Sequence, residues 1–211
     1  MSREALSQSA YRRIREDIVE GRIPAESVLS ERVLAEGLGI SRTPLRTAIS
    51  QLEKEGAVDR LSNGAILVRS VTVDQLIEIV KMRQQLESAT AARAAQFPLM
   101  VELVTIGEKM QYHAENDGVD FETFWRDDER FHIAVARAAR FKILPTILTE
   151  HRAMARRCTL TRSYDSFTDQ ALEHIDILEA IARGDADGAH AAMWQHFTNA
   201  NSRFLNSFSD D

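Results

Sequence analysis

Four side chains in the rear two-thirds of the chain combine the chemistry of metal ligands with a spacing that lets them share a site. Asp128 and His132 stand four residues apart on the apolar stripe Phe121, Phe124, Asp128, Phe131, His132, Val135, so one helix projects both together. His174 falls on the line of Ala171, Leu178 and Ile181, and His196 on that of Ala192, Met193 and Ala200. One carboxylate and three imidazoles on inward faces form a donor set for a divalent ion. Imidazole suits zinc, nickel, iron or copper, and a mixed oxygen–nitrogen set leaves room for water or a ligand oxygen. The same positions suit core histidines bonded to the backbone or to one another, the commoner arrangement for any one histidine taken alone. His151 lies on a stripe as well, with Ile147, Leu148, Met154 and Cys158, and spacing leaves it open as a ligand. His113 and His190 sit among charged or small residues and are expected at the surface. Arg83 shares the stripe of Leu76, Val80 and Glu87. A buried guanidinium needs an anion, which is either Glu87 one turn on or a bound carboxylate.

A second group lies near the N-terminus. Arg42 and Arg46 are four apart, on a face roughly opposite Leu45, Ile49 and Leu52. Arginine matches the two acceptors of guanine, and Ser41 and Thr43 can bond phosphates or base edges. Arg32 could reach the backbone or a base from beside them, and Asn63 and Gly64 could approach a minor groove or a phosphate. Each alone suits a solvated surface; together they suit a DNA-reading face.

The elements that must position these groups are mostly helices. Tyr11, Ile14 and Ile18 recur at helical spacing until Gly21 and Pro24 end the run. Ser30 is a good N-cap for a second helix with Val33, Leu34 and Leu38 as its stripe, closed by Gly37 and Gly39. Ser41 can cap a third, with Pro44 in its first turn, which should stop at Gly56. Residues 57–68 read as strand, Asn-Gly turn, strand. Three helices and a small hairpin, with a tight Leu38–Ser41 link, give a winged helix-turn-helix. From Thr72 onward the segments 73–97, 99–117, 120–140, 143–158, 168–183 and 185–207 read as helices with short links, which predicts an antiparallel bundle. The expected fold is mainly α, with a winged helix-turn-helix over residues 1–71 and an all-α bundle over 72–211.

Composition narrows the function classes. The 211 residues carry a net charge of −6, 44% hydrophobic residues and a single cysteine, Cys158. One cysteine excludes a disulfide framework and a four-cysteine zinc site, and suits a reducing cytosol. No window approaches the ~18 apolar residues of a membrane span, and the charged first thirty residues lack a signal-peptide core. A cytoplasmic protein without a membrane partner is expected. Residues 1–70 hold 11 Lys and Arg against 10 Asp and Glu, while residues 71–211 hold 15 against 22, so the two parts suit different partners.

Leu29–Arg32, Leu34–Glu36, Leu38–Arg46 and Leu52–Gly56 together resemble the winged-helix signature of GntR-family regulators, in order and spacing, over residues 11–69. The resemblance implies a transcriptional regulator that binds a palindromic operator as a homodimer, with DNA contacts at Arg32, Ser41, Arg42, Thr43, Arg46 and Gly64. This chain departs from the usual pattern at Ala25-Glu26, where the family has Pro-Gly, and at Thr47, where it has Glu. Arg83 with Leu86-Glu87, Asp128–His132, Glu173-His174 and Trp194–His196 resemble the FCD ligand-binding domain of the FadR subfamily. Many members bind a metal through an Asp and three His, and a small organic acid completes the shell. Carried over, the ligands are Asp128, His132, His174 and His196, with Arg83 at the acid's other end and zinc or nickel as the ion. His151 has no place in that pattern. The full ligand set points to the metal-bearing branch rather than the acyl-CoA-binding one. The implied function is repression of transcription controlled by a small carboxylate. Two alternatives use the same donors: a metal-dependent hydrolase or lyase carrying a DNA domain, and a direct metal sensor. The first lacks a well-placed base, because Glu129 and Glu173 adjoin ligands on a helix and point about 100° away.

Overall fold

The structure, a computed structural model, describes residues 3–158 and 166–206. Among these residues are α1 (Arg3–Val19), β1 (Val28–Leu29), α2 (Glu31–Leu38), α3 (Arg42–Lys54), β2 (Val58–Arg60), β3 (Ile66–Val68), α4 (Val73–Ala94), α5 (Val101–Glu115), α6 (Phe121–Ala138), α7 (Leu144–Ala155), α8 (Thr168–Ala182) and α9 (Ala186–Asn206). The architecture is mainly α, as the periodicity predicts. The end of the last predicted helix, at 207, lies outside the described residues.

The chain forms two compact units. One contains the residues up to Thr72 together with Arg156–Cys158; the other contains Val73–Ala155 and the described residues after Cys158. In the first unit α1 and α3 close on a small sheet, and Ile14, Ile18, Leu45, Ile49, Leu52, Val58, Ile66 and Val68 form its core. Ser30 caps α2 by accepting from the Arg32 amide, and Gly39 ends that helix at φ 64°, a left-handed geometry that costs glycine little. Gly37, expected to help close α2, lies inside it. Ser41 precedes α3 with extended backbone but its side chain makes no capping bond. The sheet is antiparallel in the order β1-β3-β2, and Gly64 turns between β2 and β3 at φ 81°. The two-residue β1 was not readable from the sequence.

Two further details of this unit matter below. Glu26, where the family usually has glycine, holds φ 64°, and its amide donates to the Val68 carbonyl at 2.8 Å. Arg157 donates through Nη2 to the carbonyls of Gly56, Ala57 and Arg69 at 3.2, 3.4 and 2.9 Å. The helix predicted over 143–158 thus stops at Ala155, and the next three residues group with the first unit.

In the second unit α4 packs on α6, α7, α8 and α9, while α5 packs on α6 and α8. Its buried apolar residues include Leu76, Val80, Phe124, Phe131, Leu148, Ile177, Ile181 and Phe197. The hydrophobic stripes also bring Arg83, Glu87, Asp128, His132, Arg152, His174 and His196 inside. No helix of the described residues is long and apolar enough to cross a membrane.

Candidate functional site

Asp128, His132, His174 and His196 are all buried, and one potential ligand atom from each lies within 4.8 Å of every other. Helices α6, α8 and α9 bring them together because each residue lies on its helix's apolar face. The outer nitrogens of the imidazoles face fixed partners. His132 Nδ1 lies 2.6 Å from Glu87 Oε2, and His196 Nδ1 lies 2.8 Å from Glu173 Oε2. His174 Nδ1 faces the Met110 sulfur at 3.3 Å. Carboxylates and a thioether are acceptors, so Nδ1 of each ring can donate outward, the tautomer that leaves Nε2 free to act as a ligand. This is the arrangement by which outer carboxylates orient metal-binding histidines.

The inner nitrogens turn toward Asp128. Its Oδ1 lies 3.3 Å from His174 Nε2 and 3.7 Å from His132 Nε2, while its Oδ2 takes the Arg152 guanidinium. His174 Nε2 is buried and makes no hydrogen bond. A buried imidazole nitrogen without a hydrogen bond, facing a carboxylate oxygen, is what a cation would satisfy, and one oxygen with three nitrogens is a donor set for zinc or nickel. The residues present therefore fit a divalent ion.

Electrostatics agree with that fit. Burial disfavours the charged form of His174, and the neighbouring His196 adds to this, holding its pKa well below the usual imidazole range. Burial also lowers His196, outweighing the opposing hydrogen bond to Glu173. Burial alone would raise Asp128, but Arg152, His132 and His174 together hold it well below the usual carboxylate range. Glu87 is likewise lowered to about 2, because Arg83 and His132 outweigh its burial. Neutral His174 and His196 beside an ionised Asp128 are the protonation states that ligation requires.

Arg83 answers both possibilities left open by its spacing. Its Nε donates to Glu87 Oε1 at 2.7 Å, yet its Nη2 is buried without a hydrogen-bond partner. Arg152 also keeps a buried Nε without one, and its guanidinium stacks 4.4 Å over the Trp125 ring. Both arginines line the cavity that Asp128, His132 and His196 open into.

The sequence reading missed Arg152 and erred on His113. On α7 the buried face is Leu148, Arg152 and Ala155, one residue away from the stripe through His151, which is half-buried and outside the group of four. His113, expected at the surface, is 2% exposed, and its Nε2 lies 3.2 Å from Asp127 Oδ2. Its place on the Leu103, Ile106, Met110, His113 line was the available signal. His190 is exposed, beside Trp194.

In the first unit Arg32, Ser41, Arg42, Thr43, Arg46 and Gly64 are all exposed. Arg42, Thr43 and Arg46 lie in the first two turns of α3. Arg32 pairs with Glu36 at 2.9 Å, and Arg46 Nε donates to Glu31 at 2.9 Å. Glu31 also binds Arg60; the two arginines outweigh its burial and lower its pKa.

Known families match both units. The family described as bacterial regulatory proteins, gntR family, matches residues 6–68, and the FCD domain matches residues 78–199. The chain belongs to the GntR family of regulators that carry an FCD domain. It is therefore a DNA-binding transcriptional regulator. The regulator is 29% identical over 239 residues to the Exu regulon transcriptional regulator of Escherichia coli (strain K12), covering 99% of this chain and 83% of that protein. It is 25% identical over 199 residues to the HTH-type transcriptional repressor RspR of the same strain, covering 92% and 86%. Among solved structures, E. coli McbR/YncC shares the fold with a TM-score of 0.75 at 20% identity, covering 96% of this chain and 98% of that one.

Proposed function

We propose that this regulator is a cytoplasmic homodimeric repressor whose operator affinity is set by a small carboxylate bound at a divalent metal. Asp128, His132, His174 and His196 hold the ion, zinc or nickel, through Oδ1 and the three Nε2 atoms. The ion supplies Lewis-acid sites for carboxylate oxygens, and Arg83 takes the acid's other end through its unspent Nη2. The observation that carries this reading is a set of unsatisfied groups around Asp128: the buried His174 Nε2 facing its carboxylate without a hydrogen bond, and buried guanidinium nitrogens of Arg83 and Arg152 without hydrogen-bond partners in the adjoining cavity.

On the DNA side, Arg42 and Arg46 read base edges from the start of α3. Ser41, Thr43 and Arg32 hold phosphates, and the wing turn at Gly64 approaches the flanking groove. Two such units match the halves of a palindromic operator. The acid shifts operator affinity only by the difference in its own affinity for the DNA-competent and DNA-released states. In this reading it favours the released state.

The test is elemental analysis of the purified protein, followed by operator titrations with and without a small-carboxylate panel and a chelator. One ion per chain, and weakening of operator binding by an acid that disappears with chelation, is the expected outcome. A metal-free protein whose operator affinity ignores every acid would return the histidines to a purely structural role.

A further inference from the structure

The cavity beside the four donors is polarised along its length. On α4 the lining residues Leu76, Ile79 and Val80 precede Arg83 by one to two turns; on α6 Phe121 and Phe124 precede Asp128 in the same way. On α9 the order is reversed, with Ala200 and Phe204 one and two turns beyond His196. All three helices therefore place charge at one level of the cavity and hydrocarbon at the other. Away from the donors and the two arginines, the polar side chains of the lining are Gln170 and the Trp125 indole, which lies one turn from Asp128.

We infer that the acid sensed here is a short aliphatic monocarboxylate, and that polyhydroxylated sugar acids and tricarboxylates are excluded. This rests on the carboxylate-binding reading above and specifies what lies beyond the carboxylate. Two properties lead to it. Hydroxyls or further carboxylates placed against Leu76, Ile79, Val80 and Phe124 would lose water and find only the Gln170 amide and the Trp125 indole N–H as candidate partners, too few for a polyol or a tricarboxylate. The cavity also measures only about 60 Å³. A dry cavity of roughly 150 Å³ is what accommodates benzene, so the space here suits a chain of a few carbons rather than a ring. Selectivity comes from the apolar end, because the charged end accepts any carboxylate.

The experiment uses the full-length, metal-loaded protein and calorimetric titration with acetate, propionate, butyrate, glucuronate and citrate. Affinity should rise about four-fold per added methylene from acetate to butyrate and exceed that for glucuronate and citrate. Val80→Thr, which keeps the shape and adds a hydroxyl, should lower the butyrate-to-acetate affinity ratio several-fold. Glucuronate or citrate binding as tightly as butyrate, or an unchanged ratio in Val80→Thr, overturns the inference and leaves the metal-bound acid standing. Metal-loaded protein that binds none of the five acids, including acetate, overturns the carboxylate reading itself and this inference with it.

Discussion

The two units treat their charged side chains in opposite ways. In the first, Arg32, Arg42 and Arg46 are exposed, and the partners of Arg32 and Arg46, Glu36 and Glu31, are one turn and one helix away. Such surface pairs contribute about 0–1 kcal/mol, so an arginine can leave its glutamate for a phosphate or a guanine at little cost. In the second, Arg83, Glu87, Asp128, His132 and Arg152 are buried in mutual contact. None can exchange partners without stranding another charge away from water. The first unit holds its exposed charges loosely, whereas the second fixes its buried charges in advance.

The largest effect should come from removing a buried partner. Asp128→Ala leaves the Arg152 guanidinium buried without its carboxylate and should cost roughly 3–5 kcal/mol in stability, read as a drop in the urea midpoint of chelated protein. A loss below about 1 kcal/mol would erase the contrast between the units. Proton uptake probes the same site more gently. His174 and His196 are held neutral in the fold, whereas an unfolded imidazole binds a proton below about pH 6.5. The unfolded chain then takes up more protons, so the stability of the metal-free protein should fall as pH drops through that value. Glu87 and Glu173, both lowered to about 2, add a further loss below about pH 4.5. Denaturation midpoints at pH 7.5, 6 and 4 check both steps; flat midpoints would contradict buried neutral imidazoles.

On the exposed side, Arg42→Ala should weaken specific operator binding by about 1–3 kcal/mol in a gel-shift titration. Its folding stability should stay within roughly 0.5 kcal/mol of the parent. Equal operator affinity would remove α3 as the reading helix. The smallest effect concerns backbone rather than charge. Glu26 occupies left-handed geometry that glycine adopts freely, so Glu26→Gly should raise stability by roughly 0.5–1 kcal/mol. Destabilisation would mean that the Ser70 hydroxyl bond to the Glu26 carboxylate, at 3.2 Å, outweighs the strain.

What could be read in the sequence follows the physics of each element. Helical stripes located α4, α6, α8 and α9, and the four-residue interval between Asp128 and His132 put them on one face. The Asn-Gly turn announced the hairpin, but β1, two residues long, offers no alternation to detect. On α7 two stripes one residue apart carry similar apolar weight. Arg152 is the one that faces inward, paired with Asp128 on α6, and that partner lies beyond any spacing along α7. Glu87 and Glu173 as partners of the imidazoles depend on contacts 45 and 23 residues away, which no local spacing encodes. His113 was misread because its charged sequence neighbours outweighed its helical line.

The place of Arg157 in the first unit has a consequence for anyone dissecting the molecule. Its guanidinium caps carbonyls at Gly56, Ala57 and Arg69, from a position more than eighty residues further along the chain. A fragment cut after residue 72 would lose that donor at all three carbonyls, of which that of Ala57 keeps a backbone bond, from the Arg69 amide at 3.0 Å. The smallest self-contained DNA reader is therefore discontinuous in sequence. Grafting it onto another sensor requires either an equivalent cation supplied by the new partner or redesign of the strand ends that Arg157 now holds.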